Sequence, residues 1–152
     1  MTDPSTGESA SGGEYRKPLP SPSPVSRPFW EGTKAHELRL QRCRDCGEHI
    51  FYPRSICPFC LSEHLEWVVA SGRGKVHSYT VVRRAMNPAF QPDVPYVLAI
   101  VELEEGPRLT TNVVGCPPQE ARVDMPVKAT YDDVTADITL LKFEPLLGPE
   151  NN

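Results

Sequence analysis

The fold of this chain is decided by Cys43-Arg44-Asp45-Cys46-Gly47 and, with ten residues between Cys46 and Cys57, by Cys57-Pro58-Phe59-Cys60. Four thiolates in two C-x2-C pairs can close a tetrahedron around one Zn²⁺, with metal–sulfur bonds of about 2.3 Å. Gly47 supplies the backbone freedom that a sharp turn after the first pair requires. The spacing therefore predicts a zinc ribbon over residues 37–64, with Cys43, Cys46, Cys57 and Cys60 as the metal ligands.

The same four cysteines leave two other kinds of site to consider. A tetrahedral four-thiolate shell also suits rubredoxin-type iron. A redox dithiol is disfavoured, because thioredoxin-like motifs sit at a helix start in an α/β pattern that this chain lacks. With four cysteine ligands no coordination position remains for water or substrate, so we expect a structural metal. His49 and His64 are then surface residues.

Charge and hydropathy exclude several classes of protein. The 152 residues carry 16 basic and 20 acidic side chains, a net charge of −4, whereas charge-driven nucleic-acid binding favours a basic chain. The longest mostly apolar run, Tyr96–Val101, is far too short to cross a bilayer. The N-terminus lacks the order of a secretory signal, and the cysteines are clustered rather than spread. We expect a cytoplasmic protein.

The N-terminal region divides into a leader and a short helix. Residues 1–27 are rich in Ser, Pro and Gly and predict a disordered tail, and residues 147–152 form a short C-terminal tail after the barrel. Pro28 and Glu31 suit a helix start, which predicts a helix over residues 28–36. Phe29 and Trp30 on this helix either dock it onto the domain or anchor a partner protein, because aromatic residues dominate interface hot spots.

The remainder of the chain is predicted to be mainly β. Alternating apolar residues separated by Gly, Pro and Asp breaks predict strands at Leu65–Ala70, Lys75–Arg83, Tyr96–Leu103, Leu109–Val114, Val127–Tyr131 and Ile138–Phe143. The five strands after Gly74 match the number in an OB-type barrel, which we assign to residues 65–146. A generic β-sandwich is the alternative architecture.

No motif in the chain carries catalysis. Cys116 has no evident base beside it, and nucleophile-elbow, P-loop and dinucleotide-binding motifs are absent. Charge is uneven, because residues 72–92 are basic whereas residues 93–152 hold eleven acids and four bases. The basic segment indicates either a solvated face or a site for a phosphorylated ligand or an acidic partner.

An ordered set of motifs resembles the family of OB-fold proteins with a rubredoxin-like zinc ribbon known as domain of unknown function thirty-five. The motifs that carry the resemblance are Phe29-Trp30-Glu31-Gly32, Leu40-Gln41-Arg42-Cys43-x-x-Cys46-Gly47, Tyr52-Pro53-Arg54, Cys57-x-x-Cys60, Gly72-Arg73-Gly74 and Tyr96-Val97-Leu98-Ala99-x-Val101-Glu102-Leu103. Together they span about residues 28–146.

The resemblance implies a noncatalytic accessory subunit. Members of this family assemble with thiolase-like enzymes that make or break carbon–carbon bonds on acyl-CoA, including acyltransferases and aldolases of steroid side-chain degradation. The partner would supply catalysis, and this chain would stabilise it and help to hold or channel acyl-CoA. No family motif assigns the CoA contacts, so the candidates for its phosphates, chosen by charge alone, are Arg54, Arg73, Arg83 and Arg84.

Two other functions remain open at this point. Zinc ribbons and OB barrels both bind nucleic acid, and Tyr79, Phe90 and Tyr96 are the candidates for a stacking platform. The acidic second half of the chain argues against this function. The other alternative is a free-standing acyl-CoA carrier that needs no partner.

Overall fold

The computed structural model describes residues 15–147, and these form one α-helix, two short 3₁₀ helices and eight strands. The elements are α1 (Arg27–Lys34), β1 (Arg39–Cys43), β2 (His49–Ile50), β3 (Leu65–Val69), β4 (Arg73–Val82), a 3₁₀ helix (Pro88–Asp93), β5 (Tyr96–Leu103), β6 (Arg108–Val113), a 3₁₀ helix (Pro118–Glu120), β7 (Pro126–Asp133) and β8 (Thr139–Pro145). At eight residues α1 is short, and the described part of the chain holds no helix that could span a membrane.

The first three strands form a small antiparallel sheet in the order β2-β1-β3. Strand β3 pairs with β1 along five residues, from Arg39 opposite Val69 to Cys43 opposite Leu65. The predicted strand Leu65–Ala70 falls within residues 65–146, which the sequence assigns to the barrel, but its pairing with β1 places it in the ribbon's sheet instead. The assignment was wrong because alternation predicts a strand but not its partner.

The other five strands form a closed barrel in the order β4-β5-β6-β8-β7, with β4 and β7 paired to complete it. Residues alternate along β5, so that Val97, Ala99, Val101 and Leu103 point into the core. The mainly β class and the five-stranded OB-type barrel predicted from the sequence are thereby confirmed. The barrel is closed, so the sandwich alternative is excluded.

The Gly72-Arg73-Gly74 motif has a steric explanation at the start of β4. A Cβ atom on Gly74 would lie 2.4 Å from the backbone oxygen of Glu102, which is too close for any side chain. Gly74 pairs with Leu103 at this point, where β4 also turns toward β7. A glycine is therefore required at position 74, where β4 pairs with both β5 and β7.

Helix α1 joins the ribbon to the barrel. It ends at Lys34, two residues earlier than predicted, since His36 adopts a left-handed conformation with φ of 57° and turns the chain toward β1. Phe29, Leu38 and Leu40 are buried in the same core as the inward residues of the barrel. The barrel core therefore extends into α1 and the start of the ribbon, whereas Cys43, Ile50 and Cys57 form a separate small cluster in the ribbon.

The predicted N-terminal tail is only partly covered by the structure. Residues 1–14 lie outside the described residues, as do residues 148–152 of the predicted C-terminal tail, of which only the exposed Leu147 is described. Among residues 15–26, Lys17 contacts the 3₁₀ helix between β4 and β5: its ammonium lies 2.5 Å from a carboxylate oxygen of Asp93 and 5.7 Å from the centre of the Phe90 ring. Disorder over residues 1–27 stays a prediction from composition.

A polar contact also fastens the end of α1 to β7. The Nε2 atom of His36 lies 3.0 Å from Oδ2 of Asp133, and the His36 ring stacks on Tyr131 with centroids 5.1 Å apart. The Thr139 hydroxyl donates a hydrogen bond to Asp133, and this bond and then the His36 imidazole hold the pKa of Asp133 below its usual range. The carboxylate form is therefore favoured in the folded chain.

This contact predicts a specific dependence of stability on pH. A carboxyl group with a depressed pKa in the folded state stabilises the fold above its unfolded pKa of about 4, and this stabilisation is lost as pH falls through the folded pKa. Asp133→Asn should therefore reduce the loss of thermal stability between about pH 5 and pH 3. Asp137→Asn in the turn between β7 and β8 is the control. Identical acid limbs for wild type and Asp133→Asn in thermal melts would contradict this expectation.

Candidate metal centre and neighbouring groove

Each cysteine pair forms a turn of the same geometry. In the first turn the amide of Gly47 donates to the Cys43 carbonyl at 2.9 Å, and in the second the amide of Leu61 donates to the Cys57 carbonyl at 2.9 Å. Both residues that follow the pairs are left-handed, with φ of 78° at Gly47 and 65° at Leu61. The two turns face each other and direct four sulfur atoms toward one point.

The four sulfur atoms fit a tetrahedral metal ion. Cys43 Sγ lies 3.5 Å from Cys60 Sγ, and Cys46 Sγ lies 3.7 Å from Cys57 Sγ. All four sulfur atoms lie within 4.8 Å of one another. A regular tetrahedron with metal–sulfur bonds of about 2.3 Å has sulfur–sulfur edges of about 3.8 Å. The four predicted ligands therefore form a four-cysteine metal-binding site.

Backbone amides donate hydrogen bonds to two of the four sulfur atoms. The amide of Cys46 donates to Cys43 Sγ at 3.5 Å, and the amide of Phe59 donates to Cys57 Sγ at 3.4 Å. The Cys46 backbone hydrogen bond is the main cause that lowers the pKa of Cys43 to about 6. Thiolate is the form that binds metal, so the backbone favours coordination by Cys43. At Cys46 and Cys60, burial and the neighbouring cysteine side chains outweigh the backbone hydrogen bonds and raise the pKa.

A polar cluster braces the two turns against each other. Asp45 in the first turn accepts hydrogen bonds from the Ser62 hydroxyl and from Nδ1 of His64, the latter at 3.0 Å. These two contacts, Ser62 first, hold the pKa of Asp45 below its usual range. His64 and His49 do not belong to the four-cysteine cluster, and His64 is largely exposed.

A buried glutamine ties the loop between the cysteine pairs to β1. The side chain of Gln41 accepts a hydrogen bond from the amide of Arg54 and donates one to the Arg54 carbonyl, each at 2.8 Å. Gln41 is nearly inaccessible to solvent, so these bonds form away from competing water. This positioning role was not predicted, because a glutamine in an alternating strand gives no sign of its partner.

The structure does not bring together the four arginines chosen for CoA phosphates. Arg54 lines a cleft of about 490 Å³ between the ribbon and the β5–β6 hairpin, where Arg108 and His49 also lie. Arg73 begins β4, whereas the exposed Arg83 and Arg84 follow the end of that ten-residue strand. Ten strand residues span about 30 Å, so one phosphate group cannot contact both ends.

Of the two aromatic residues proposed to contact a partner, one is part of the chain's own core. Phe29 is 7% exposed and packs edge to face against Trp30 and Phe51, with centroids 5.0 and 5.4 Å apart. Its docking alternative is thus the correct one, because a helix this short needs an anchor. Trp30 is half-buried and lines a groove beside the helix.

That groove is the main feature that the sequence did not predict. It has a volume of about 520 Å³ and runs between α1, the Phe51–Pro53 loop and the outer face of the barrel, with mostly apolar walls that include Trp30, Phe51, Leu98, Leu109 and Leu141. A second cavity of about 450 Å³ continues it toward Lys17 and Asp93, and the two share Leu98, Asn112, Leu140 and Lys142. The unbroken apolar run at Tyr96–Val101 was the available signal, because it places the apolar Leu98 on the outward face of β5, where it lines the groove.

Comparisons with known proteins agree with this architecture. Residues 30–66 match the family model of the ChsH2 rubredoxin-like zinc ribbon domain, and residues 67–132 match that of the ChsH2 C-terminal OB-fold domain. The solved structure of the Ltp2-ChsH2(DUF35) aldolase contains a chain that is 37% identical, with a TM-score of 0.75, over 84% of this chain and 98% of that one.

The curated relatives differ in how much of their own length the match covers. A DUF35 domain-containing scaffold protein of Methanocaldococcus jannaschii is 41% identical over 69% of this chain and 79% of its own length. A probable enoyl-CoA hydratase alpha subunit of Thermomonospora curvata is 39% identical over 82% of this chain, but the match spans only 39% of that longer protein. The benzoylsuccinyl-CoA thiolase subunit BbsA of Thauera aromatica is 31% identical over 55% of this chain and 56% of its own length.

The archaeal scaffold protein and the chain of the aldolase structure are matched over most of their lengths, and both bear the DUF35 designation. This chain therefore belongs to the DUF35 family.

Proposed function

We propose that this chain is a noncatalytic accessory subunit that assembles with a thiolase-like enzyme acting on acyl-CoA. The observation that carries the proposal is the alignment with 98% of one chain of the Ltp2-ChsH2(DUF35) aldolase at 37% identity. One relative is named a scaffold protein and another a thiolase subunit, and both names support the same role. The catalytic residues would then belong to the partner.

The side-chain chemistry of residues 15–147 supports a noncatalytic role. Ser62, His64 and Asp45 lie together, but the carboxylate bridges the hydroxyl and the imidazole. Nucleophilic catalysis needs the imidazole next to the hydroxyl as its base. The Thr139–Asp133–His36 cluster has the same bridging order. Neither cluster has the arrangement of a nucleophile with its base.

We further propose that the metal is Zn²⁺ and that its role is structural. Four cysteine ligands fill the tetrahedral shell, which leaves no open position for substrate. The match to a zinc ribbon model over residues 30–66 supports zinc over rubredoxin-type iron. Elemental analysis of freshly purified protein distinguishes the two metals directly.

The apolar groove supports a contribution to acyl-CoA binding. Its walls suit the acyl portion of a thioester, and the Lys142 ammonium in its lining is paired with Asp132 at 2.7 Å. In the adjoining cavity Lys17 is paired with Asp93 at 2.5 Å. Neutral apolar walls fit uncharged hydrocarbon better than phosphate. The phosphates of CoA would therefore lie outside this groove, on the partner or near Arg54.

The nucleic-acid alternative finds little support on the barrel face that OB-folds use for it. That face is built from β5 and β6, where Leu98 and Ile100 point outward opposite Asn112 and Thr110. Binding of single strands requires a positively charged groove lined by stacking aromatics. The outward face of this pair of strands is apolar and uncharged at these positions.

A reconstitution experiment tests the proposal. The chain, the thiolase-like protein of its own host, and their mixture are each assayed for carbon–carbon bond formation or cleavage on acyl-CoA. We expect no turnover by this chain alone and turnover by the mixture that exceeds that of the partner alone at least tenfold. A partner that is equally soluble and active without this chain would refute the accessory role. Submicromolar binding of single-stranded DNA at physiological salt would favour the alternative.

A further inference from the structure

The second cysteine turn displays an unusual set of apolar side chains. Ile56, Phe59 and Leu61 are 44%, 64% and 76% exposed, although all three lie within a six-residue turn that includes two metal ligands. The segment from Ser55 to Ser62 contains no Lys, Arg, His, Asp or Glu. We call the three side chains the knuckle patch.

The backbone of Leu61 also adopts a conformation that is typical of glycine. Its φ of 65° places it in the left-handed region, where side chains other than glycine are uncommon. The matching position of the first turn is Gly47, with φ of 78° and the same amide-to-carbonyl bond of 2.9 Å. A glycine would satisfy the turn geometry, and no residue among 15–147 buries the Leu61 side chain. An outlier of this kind suggests a role outside the fold.

We propose that the knuckle patch is a docking surface for the catalytic thiolase-like subunit, which would present an apolar pocket to Phe59 and Leu61. The inference rests on the proposed function and adds the surface through which it operates. Taking about 200 Å² for a fully exposed side chain of this size, the patch exposes on the order of 400 Å². That is about half of the roughly 800 Å² that each partner buries in a standard interface.

Neighbouring residues indicate how the interface continues and why the occupant is not a second copy. Phe59 lines the cleft that also holds Arg54, Arg108 and His49. Arg108 is paired with Glu102 at 3.0 Å, whereas no ion pair of Arg54 is found among residues 15–147. A two-fold dimer through the patch would bring two Arg54 side chains to one interface, which like charges oppose. A partner with carboxylates around an apolar pocket would complement both the knuckle patch and the Arg54 guanidinium.

The test uses the full-length chain and the thiolase-like protein of its own host, with affinity measured by titration calorimetry. Leu61→Gly should weaken the complex about tenfold and Phe59→Ala with Leu61→Gly about thirtyfold, the range expected for anchor residues. Zinc content should stay at that of wild type. The Tm of Leu61→Gly should be unchanged or raised by up to about 4 °C, because the left-handed strain is relieved. Val123→Ser, which alters an exposed apolar residue of the barrel, should bind like wild type.

Each other result overturns the inference in a distinguishable way. Wild-type affinity in the double variant, beside a normal wild-type complex, would reject the knuckle patch and leave the proposed function intact. A lower Tm or zinc content in Leu61→Gly would make Leu61 a structural residue of the ribbon. Dimerisation of the chain alone that the double variant abolishes would assign the patch to a second copy. Failure of the wild-type chain to bind would refute the proposed function and the inference together.

Discussion

Cys57→Ser is expected to abolish stoichiometric metal binding and unfold the ribbon. Cys57 is fully buried, and its sulfur lies 3.7 Å from Cys46 Sγ within the four-sulfur cluster. A serine hydroxyl is a poor ligand for zinc, and structural zinc contributes folding free energy of about 10 kcal/mol or more in small zinc domains. The ribbon has only two strand residues in β2 and cannot replace that contribution by packing.

The metal content and the thermal melt measure this loss together. Wild type should contain one metal ion per chain, whereas Cys57→Ser should contain less than about a tenth of that after dialysis. A chelator strong enough to remove the metal from wild type should lower the Tm of wild type toward that of Cys57→Ser. Cys116→Ser is the matched control, because Cys116 lies outside the four-cysteine cluster. A Cys57→Ser protein with full metal and a wild-type melt would contradict the assigned ligand set.

Phe143→Ala should cause the second large effect, this time in the barrel. Phe143 is fully buried on β8, and its carbonyl accepts the amide of Val114 at 2.8 Å where β8 meets β6. Removal of a buried phenyl ring costs about 3–5 kcal/mol, since the cavity it leaves adds to the lost burial. At about 2–4 °C per kcal/mol for a chain of this size, the Tm should fall by about 10 °C.

Phe59→Ala gives the matched comparison. It removes the same ring from a side chain that is 64% exposed on the knuckle patch. Surface substitutions change stability by about 0.5 kcal/mol at most. Calorimetric melts of the two variants should therefore differ by several degrees. Equal losses of stability would show that the barrel core is not centred on Phe143.

The sequence was sufficient for the features that depend on local spacing. The two C-x2-C pairs can be recognised from local spacing alone. Cys43, Cys46, Cys57 and Cys60 were therefore predicted correctly as one cluster. The five barrel strands followed from alternation with breaks at Gly and Pro, and each predicted boundary lies within about two residues of the observed one.

Features that depend on which distant segments meet were not predictable in this way. Strand β3 was predicted with nearly correct bounds but assigned to the wrong sheet, since its partner β1 lies more than twenty residues earlier. Arg73 and Arg83 were grouped by charge, yet they lie at opposite ends of β4. Gln41 was missed because its role arises only when the Arg54 backbone comes within 2.8 Å.

Native mass spectrometry of the chain mixed with the thiolase-like protein of its own host tests the central claim most directly. A single spectrum reports the subunits present and the metal that they carry. We predict a hetero-oligomer that contains both proteins and one zinc ion for each copy of this chain. Detection of the two proteins only as separate species, under conditions in which the thiolase-like protein is active, would contradict the account.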